Sequence, residues 1–305
     1  MTRVACLAGC LASLACADVP MHFAGLSRPS IFVVCTVFAA AAMSIVGTAA
    51  PAAIRVEYVR PTNPAHQPIY ELLQQERALE MLAEIFSPFR LPIELTLKTV
   101  GCEGVANAYY QRPEVRICYE YLDEIRQSVP QVTIEAGVSR TDAVLGQFFY
   151  VVAHEMGHAV FDLLDVPLFG GPEDAADQIG AYMMLQFGKA DARRLIGGAA
   201  YSYKNFVQAP KFVVPLEAFS SAHSAPAQRF YNLLCLAYGA DPKLFADVVE
   251  KGYLPQKRAA TCRGEYREVA FAFRQLIAPH LDQELMKRVF DRTWLPDAGA
   301  SSLHR

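Results

Sequence analysis

His154-Glu155-Met156-Gly157-His158 has the residue types and the spacing to hold a metal ion and to move a proton beside it. On a helix, residues four apart share a face, so both imidazoles can reach one ion. Glu155 projects close by and can accept a proton from a zinc-bound water. The flanking sequence sharpens this reading, because VLGQFFYVVAHEMGHAVFDLL, from Val144 to Leu164, is apolar nearly all round. Burying an unpaired polar group costs about 2–7 kcal/mol. Two histidines and a glutamate inside such a helix therefore call for a shared partner. Two ordinary helix histidines are the plain alternative, and that cost argues against it.

The third ligand divides the known zinc enzymes. A metzincin carries Gly three and His six residues past the second histidine; Phe161 and Leu164 stand there and exclude that class. An open catalytic site needs two histidines and one carboxylate. Glu173 and Asp177 lie on a following predicted helix, EDAADQIGAYMMLQF, four apart on one face. Glu173 can complete the tetrahedron while Asp177 accepts a hydrogen bond from a ligand imidazole and fixes its tautomer. Asp177 as the ligand is the competing assignment. Asp174 reads as an acidic complement to the helix N-terminus.

The elements that must position these groups are legible around them. Ile54–Val59 alternates with period two and reads as a strand, as does Ile93–Val100. Between them, Ile69–Phe86 has apolar residues at helical spacing and reads as one helix, closed by Pro88 and Pro92. Segments Val105–Tyr110 and Val115–Tyr119, separated by Gln111-Arg112-Pro113, form a hairpin signal. From about Thr141 the chain turns helical: 144–164 is a central buried helix, Gly170-Gly171-Pro172 ends it, and Pro172 suits the start of the next. Stretches 190–206, 226–250 and 262–290 read as helix-like with short polar breaks. Strands followed by helices indicate one α+β domain over 54–305.

The 305 residues carry 28 basic and 31 acidic side chains, so no basic surface calls for nucleic acid. Residues 1–53 form a signal peptide or N-terminal anchor: Arg28 precedes the uncharged run 31–53, and Ala50-Pro51-Ala52 offers a small-residue cleavage site. Cleavage and a retained anchor both remain open, and a membrane enters only through that segment. Cys102, Cys118, Cys235 and Cys262 remain beyond it. Of three possible pairings, Cys102–Cys118 and Cys235–Cys262 join neighbours in sequence and are favoured, with free buried thiols the alternative. Disulfides and signal agree on an exported, periplasmic or secreted protein. His66, His280 and His304 have no company comparable to that of the motif histidines and read as ordinary surface residues.

VVAHEMGHAV followed by EDAAD resembles the gluzincins, in particular the HtpX and CAAX-prenyl-endopeptidase group and thermolysin. Over its length the chain is similar to an uncharacterised bacterial metallopeptidase family. The resemblance implies a zincin-like fold, with a small sheet over the active-site helix and a helical C-terminal lobe. It also implies Zn2+ held by His154, His158 and Glu173, with Asp177 supporting the first histidine. Asn107-Ala108-Tyr109-Tyr110 resembles the edge strand on which thermolysin-like enzymes lay a substrate backbone. SAHSAPAQRF resembles the HPP-x-x-x-R segment of HtpX, which implies an oxyanion role for His223 with Arg229 orienting it; Ser224 replaces the family proline. HtpX enzymes carry several membrane spans and the segment 54–305 offers none, so the likeness concerns the catalytic core. The expected activity is hydrolysis of a peptide or protein substrate by Glu155-assisted attack of zinc-bound water. Two other classes fit the same residues: an exported zinc-binding chaperone or assembly factor without hydrolase activity, and a zinc amidase acting on cell-wall amides.

Overall fold

Strand Leu95–Val100 (β2) is almost wholly buried, and the sheet assembles on it. The computed structural model describes residues 54–129, 138–203, 207 and 216–296. The signal or anchor segment, residues 204–206 of the predicted helix 190–206, and His304 lie outside them. Ile54–Tyr58 (β1) pairs parallel to β2, with Val56 opposite Leu97. Glu114–Cys118 (β4) pairs parallel on its other side, with Leu97 opposite Val115. Ala108–Gln111 (β3) pairs antiparallel to β4 and forms the edge, giving the order β1-β2-β4-β3. Leu95, Leu97, Val115 and Ile117 are fully buried. Burial of each such side chain contributes about 1.5–3 kcal/mol. The predicted hairpin is therefore present, although its first strand begins at Ala108 and not at Val105.

The helix under the sheet is Arg140–Leu163 (α4), against which β3 and β4 pack. It starts four residues before the apolar run, because Ser139 accepts a hydrogen bond from the Asp142 N–H at 3.0 Å and caps it. It ends in a Schellman turn: Asp165 takes φ 51°, and the Val166 N–H reaches the Phe161 carbonyl at 2.9 Å. Pro172–Met184 (α5) follows with proline in its first turn, and Lys189–Tyr201 (α6) crosses α4 closely. The α4–α6 crossing tolerates no side chain at Gly198, where a Cβ would sit 1.8 Å from the Asp142 carbonyl oxygen. Pro226–Ala240 (α7) packs on α5 and on Gln256–Ala272 (α9). Ala246–Glu250 (α8) and Gln283–Asp291 (α10) complete the helical part. The architecture is α+β, mostly helical with one small mixed sheet. No helix of the described residues is long and apolar enough to cross a membrane.

Two expectations are corrected. Ile69–Phe86 is two helices, Gln67–Gln75 (α1) and Ala78–Phe86 (α2), broken at Arg77, whose φ is 51°. The Tyr58 hydroxyl enters the break, accepting from the Leu79 N–H at 2.9 Å and donating to Glu80 Oε2 at 2.7 Å, with the Leu73 carbonyl 3.2 Å away. A side chain inserted this way replaces the helical bonds it interrupts. Segment 226–250 carries a short polar break of the kind expected, where Asp241 Oδ1 accepts from the Lys243 and Leu244 N–H groups at 3.1 and 3.0 Å. His66 is no surface residue: it is 5% exposed and its ring lies 6.1 Å from that of Tyr119, on Tyr119–Ser128 (α3).

Both favoured disulfides are present. Cys102–Cys118 ties the loop before β3 to the end of β4, and Cys235–Cys262 ties α7 to α9.

Candidate metal centre and active-site cleft

One face of α4 brings His154 and His158 together, with their Nε2 atoms 3.2 Å apart. The first turn of α5 brings in Glu173, whose Oε2 lies 3.1 Å from His154 Nε2 and 3.3 Å from His158 Nε2. Close approach of the two helices makes this possible. Gly157, inside the motif, faces Ala176 of α5, and a Cβ there would meet the Ala176 Cα at 3.2 Å.

These spacings test whether the residues fit a metal. Zinc bonds of about 2.0–2.2 Å in a tetrahedron put neighbouring ligand atoms roughly 3.3–3.5 Å apart. The three observed edges lie at or just under that spacing. Two imidazole nitrogens and a carboxylate oxygen crowded this closely repel unless protons or a cation lie between them.

The tautomer is assigned by the next layer. Asp177 Oδ1 accepts from His154 Nδ1 at 2.7 Å, which leaves the Nε2 lone pair turned to the site. Arg229, in the first turn of α7, donates from Nε to Asp177 Oδ2 at 2.7 Å and from Nη2 to Oδ1 at 2.6 Å. Burial alone would raise the Asp177 carboxyl, but His154 and Arg229 together hold it down at about 2. Burial likewise opposes the charge on His154, and Asp177 outweighs it, leaving His154 above its ordinary value. Glu173 is held below the usual carboxylate range because its surrounding imidazoles outweigh its burial. Asp177 is therefore bonded to an imidazole and a guanidinium, while Glu173 faces both Nε2 atoms.

Glu155 sits 6% exposed beside this group. Burial pushes its carboxyl up to about 7, against the pull of His154 and a backbone hydrogen bond. That bond comes from β3: the Tyr110 N–H donates to Glu155 Oε2 at 2.8 Å. Asn107 bonds back to β4 through the Cys118 N–H at 3.1 Å, so alternate residues Ala108 and Tyr110 turn their backbone groups away from β4, toward the site. Tyr110 and Arg112 further anchor the strand to α4 through Asp162, the phenol donating at 2.6 Å and Arg112 Nε at 2.7 Å.

His223 places Nε2 2.8 Å from Glu173 Oε2, and its ring stacks on His154 at 5.7 Å. His154, Glu173 and His223 thus form a second possible ligand triad, sharing two members with the first. His223 is the most exposed of the four, at 47% of its side chain, and is the more easily displaced. Arg229 does not bond to His223 among the described residues. The buried Asp177 carboxylate captures its guanidinium instead, which corrects the orienting contact expected for it.

His154, Glu155, His158, Glu173, His223 and Arg229 line one cleft of about 960 Å³, together with Asn107, Ala108 and Tyr109 of the edge strand. A family model described as "Putative metallopeptidase" matches residues 58–277. The chain belongs to this metallopeptidase family. Membership implies a bound metal, and the cluster on α4 and α5 is where this metallopeptidase has the donors to hold one. No curated protein and no solved structure matches the chain significantly.

Other groups in the cleft of this metallopeptidase escaped sequence reasoning. Tyr110 belongs to the quoted edge strand, but its contribution is a backbone N–H, which no residue type announces. Tyr121, Tyr150, Tyr203 and Gln147 also line the cleft. For Gln147 a signal existed: it is a polar residue in the apolar helix, seven before His154 and so on the same face.

Proposed function

We propose that this protein is a zinc-dependent peptidase of gluzincin type with a zincin-like fold, which hydrolyses peptide bonds in the cleft between β3 and α4. The observation that carries this reading is the near-equilateral triangle of His154 Nε2, His158 Nε2 and Glu173 Oε2, with edges of 3.1–3.3 Å. Two imidazoles and one carboxylate match the donor set of an open zinc site. Zinc held there would supply Lewis acidity toward a carbonyl oxygen and would acidify a water molecule at the open corner.

The chain's own groups do the rest. Glu155 takes the proton of the attacking water on Oε1, since Oε2 is held by the Tyr110 N–H, and then delivers it to the departing amine. His223, exposed at the cleft wall, turns its Nε2 from Glu173 toward the developing oxyanion. Ala108 offers its outward N–H and carbonyl, and Tyr110 its carbonyl, to an extended substrate that adds as a further strand, with Asn107 and Tyr109 flanking it. Asp177 keeps His154 in the metal-binding tautomer, and Arg229 keeps Asp177 charged. The catalytic domain spans 54–305 behind the signal or anchor. Two disulfides suit an exported, oxidising setting.

The test is metal analysis combined with peptide turnover on purified protein. Wild type should carry one zinc, Glu173→Ala should lose it, and Asp177→Ala should bind it more weakly. Glu155→Gln should keep zinc and lose about 10²–10⁴-fold in kcat. Full activity in Glu155→Gln would sink the mechanism, and unchanged zinc affinity in Glu173→Ala would sink the ligand assignment.

A further inference from the structure

The cleft extends from the metal cluster along α4 toward its N-terminus. Gln147 lies seven residues before His154, about 10 Å along the axis at 1.5 Å per residue. That is the reach of one substrate residue with an extended side chain. Tyr150 and Val151 lie between them on the same face, and Tyr203 and Tyr121 close the sides.

The polar groups of this branch are disposed unequally. Tyr150 and Tyr203 lie within electrostatic reach of each other and of Asp177, so these phenols already have polar neighbours. Gln147 Nε2 donates to the Ala143 carbonyl at 2.9 Å. A carbonyl can only accept, so the amide atom facing it is the nitrogen, which fixes the amide orientation and makes Oε1 the atom left for the cleft. Gln147 is 6% exposed, and Oε1 has no partner among the described residues. The Tyr121 hydroxyl, within electrostatic reach of Arg229 and Glu155, also has no hydrogen-bond partner among them. The cleft lining thus offers one fixed acceptor, Gln147 Oε1, and one hydroxyl, that of Tyr121, beside tyrosine rings and Val151.

Resting on the peptidase reading, we infer that this branch is a specificity subsite for a carboxamide side chain, with Gln147 and Tyr121 as its selecting residues. A carboxamide presents an NH2 donor and a carbonyl acceptor, which complement Gln147 Oε1 and the Tyr121 hydroxyl. Its aliphatic stem lies against Val151 and the tyrosine rings. A carboxylate is disfavoured, because it would face Gln147 Oε1 in a cleft already lined by Glu155 and Glu173. An aliphatic side chain fits the stem but leaves both polar groups without partners, the situation that lets a hydrogen-bonding pocket discriminate strongly.

Binding tests this without relying on turnover. Peptide hydroxamates with glutamine, glutamate or leucine next to the chelating group are titrated calorimetrically into zinc-loaded wild type, Gln147→Leu and Tyr121→Phe. In wild type the glutamine compound should bind at least about tenfold more tightly than the other two, the loss expected for one unpaired hydrogen bond. In Gln147→Leu the glutamine-to-leucine preference should vanish, and in Tyr121→Phe it should shrink, with zinc content unchanged in both. Equal or tighter binding of leucine by wild type, or an unaltered preference in both variants, overturns the subsite and leaves the metal site standing. If no hydroxamate binds zinc-loaded protein at all, the peptidase reading falls and the subsite falls with it.

Discussion

The Tyr110 backbone N–H donates to Glu155 Oε2 at 2.8 Å, joining the outermost strand of the sheet to the carboxylate in the middle of the longest helix. The two residues are 45 apart in sequence. The bond favours the charged form of a carboxyl that burial pushes up to about 7. A bound cation adds to that pull. Tyr110→Pro removes the donor at an edge position where proline is tolerated. The acid limb of kcat/KM should then move to higher pH, with zinc content unchanged. A pH profile identical to wild type would show that the strand does not tune the base.

Arg229→Lys should cost about 3 kcal/mol of stability, since a point charge cannot replace two converging N–H donors on the buried Asp177. Because Asp177 sets the His154 tautomer, zinc affinity should also fall by roughly 10–100-fold. Thermal unfolding of the metal-free protein and chelator competition measure the two effects separately.

The Asp177 carboxyl sits at about 2 in the folded chain against an ordinary value of 3.8. Its folded pKa is depressed, so the contribution it makes is complete above pH 4 and is lost as pH falls toward 2. A shift of this size corresponds to about 2 kcal/mol. Acid titration of metal-free wild type should show this loss, and Asp177→Asn, destabilised throughout, should lack it.

Gly157→Ala puts a methyl group 3.2 Å from the Ala176 Cα, where backbone must yield by a few tenths of an ångström. Overpacking of this kind costs about 1–3 kcal/mol. Moving α5 carries Glu173 away from the histidines, so zinc affinity should fall more than thermal stability does. Wild-type affinity in this variant would show that α5 can shift without disturbing the cluster.

Opening the Cys102–Cys118 bond by substituting both residues with serine should destabilise the chain by about 3 kcal/mol, the value for a loop of this length. The loop it closes leads into β3, so KM for a peptide should rise while zinc stays bound. Parallel measurement of KM and metal content separates this from general unfolding.

Sequence by itself determined what depends on near neighbours along the chain. Two imidazoles four residues apart must share a helix face, a proline after two glycines must start α5, and alternation around Arg112-Pro113 must give a hairpin. Short cysteine separations likewise favoured the two disulfides that formed. Tertiary structure decided what depends on distant backbones. Glu173 and Asp177 share a helix face, and only the approach of α5 to α4 at Gly157 turned the first toward both Nε2 atoms and the second toward Nδ1. Arg229 took Asp177, not His223, because a buried carboxylate competes better for a guanidinium than an exposed imidazole does. The break at Arg77 came from Tyr58, a residue on another element, and the grip on Glu155 came from a backbone N–H, which every residue but proline carries. Local spacing selects which side chains can cooperate; packing between elements selects which of them meet.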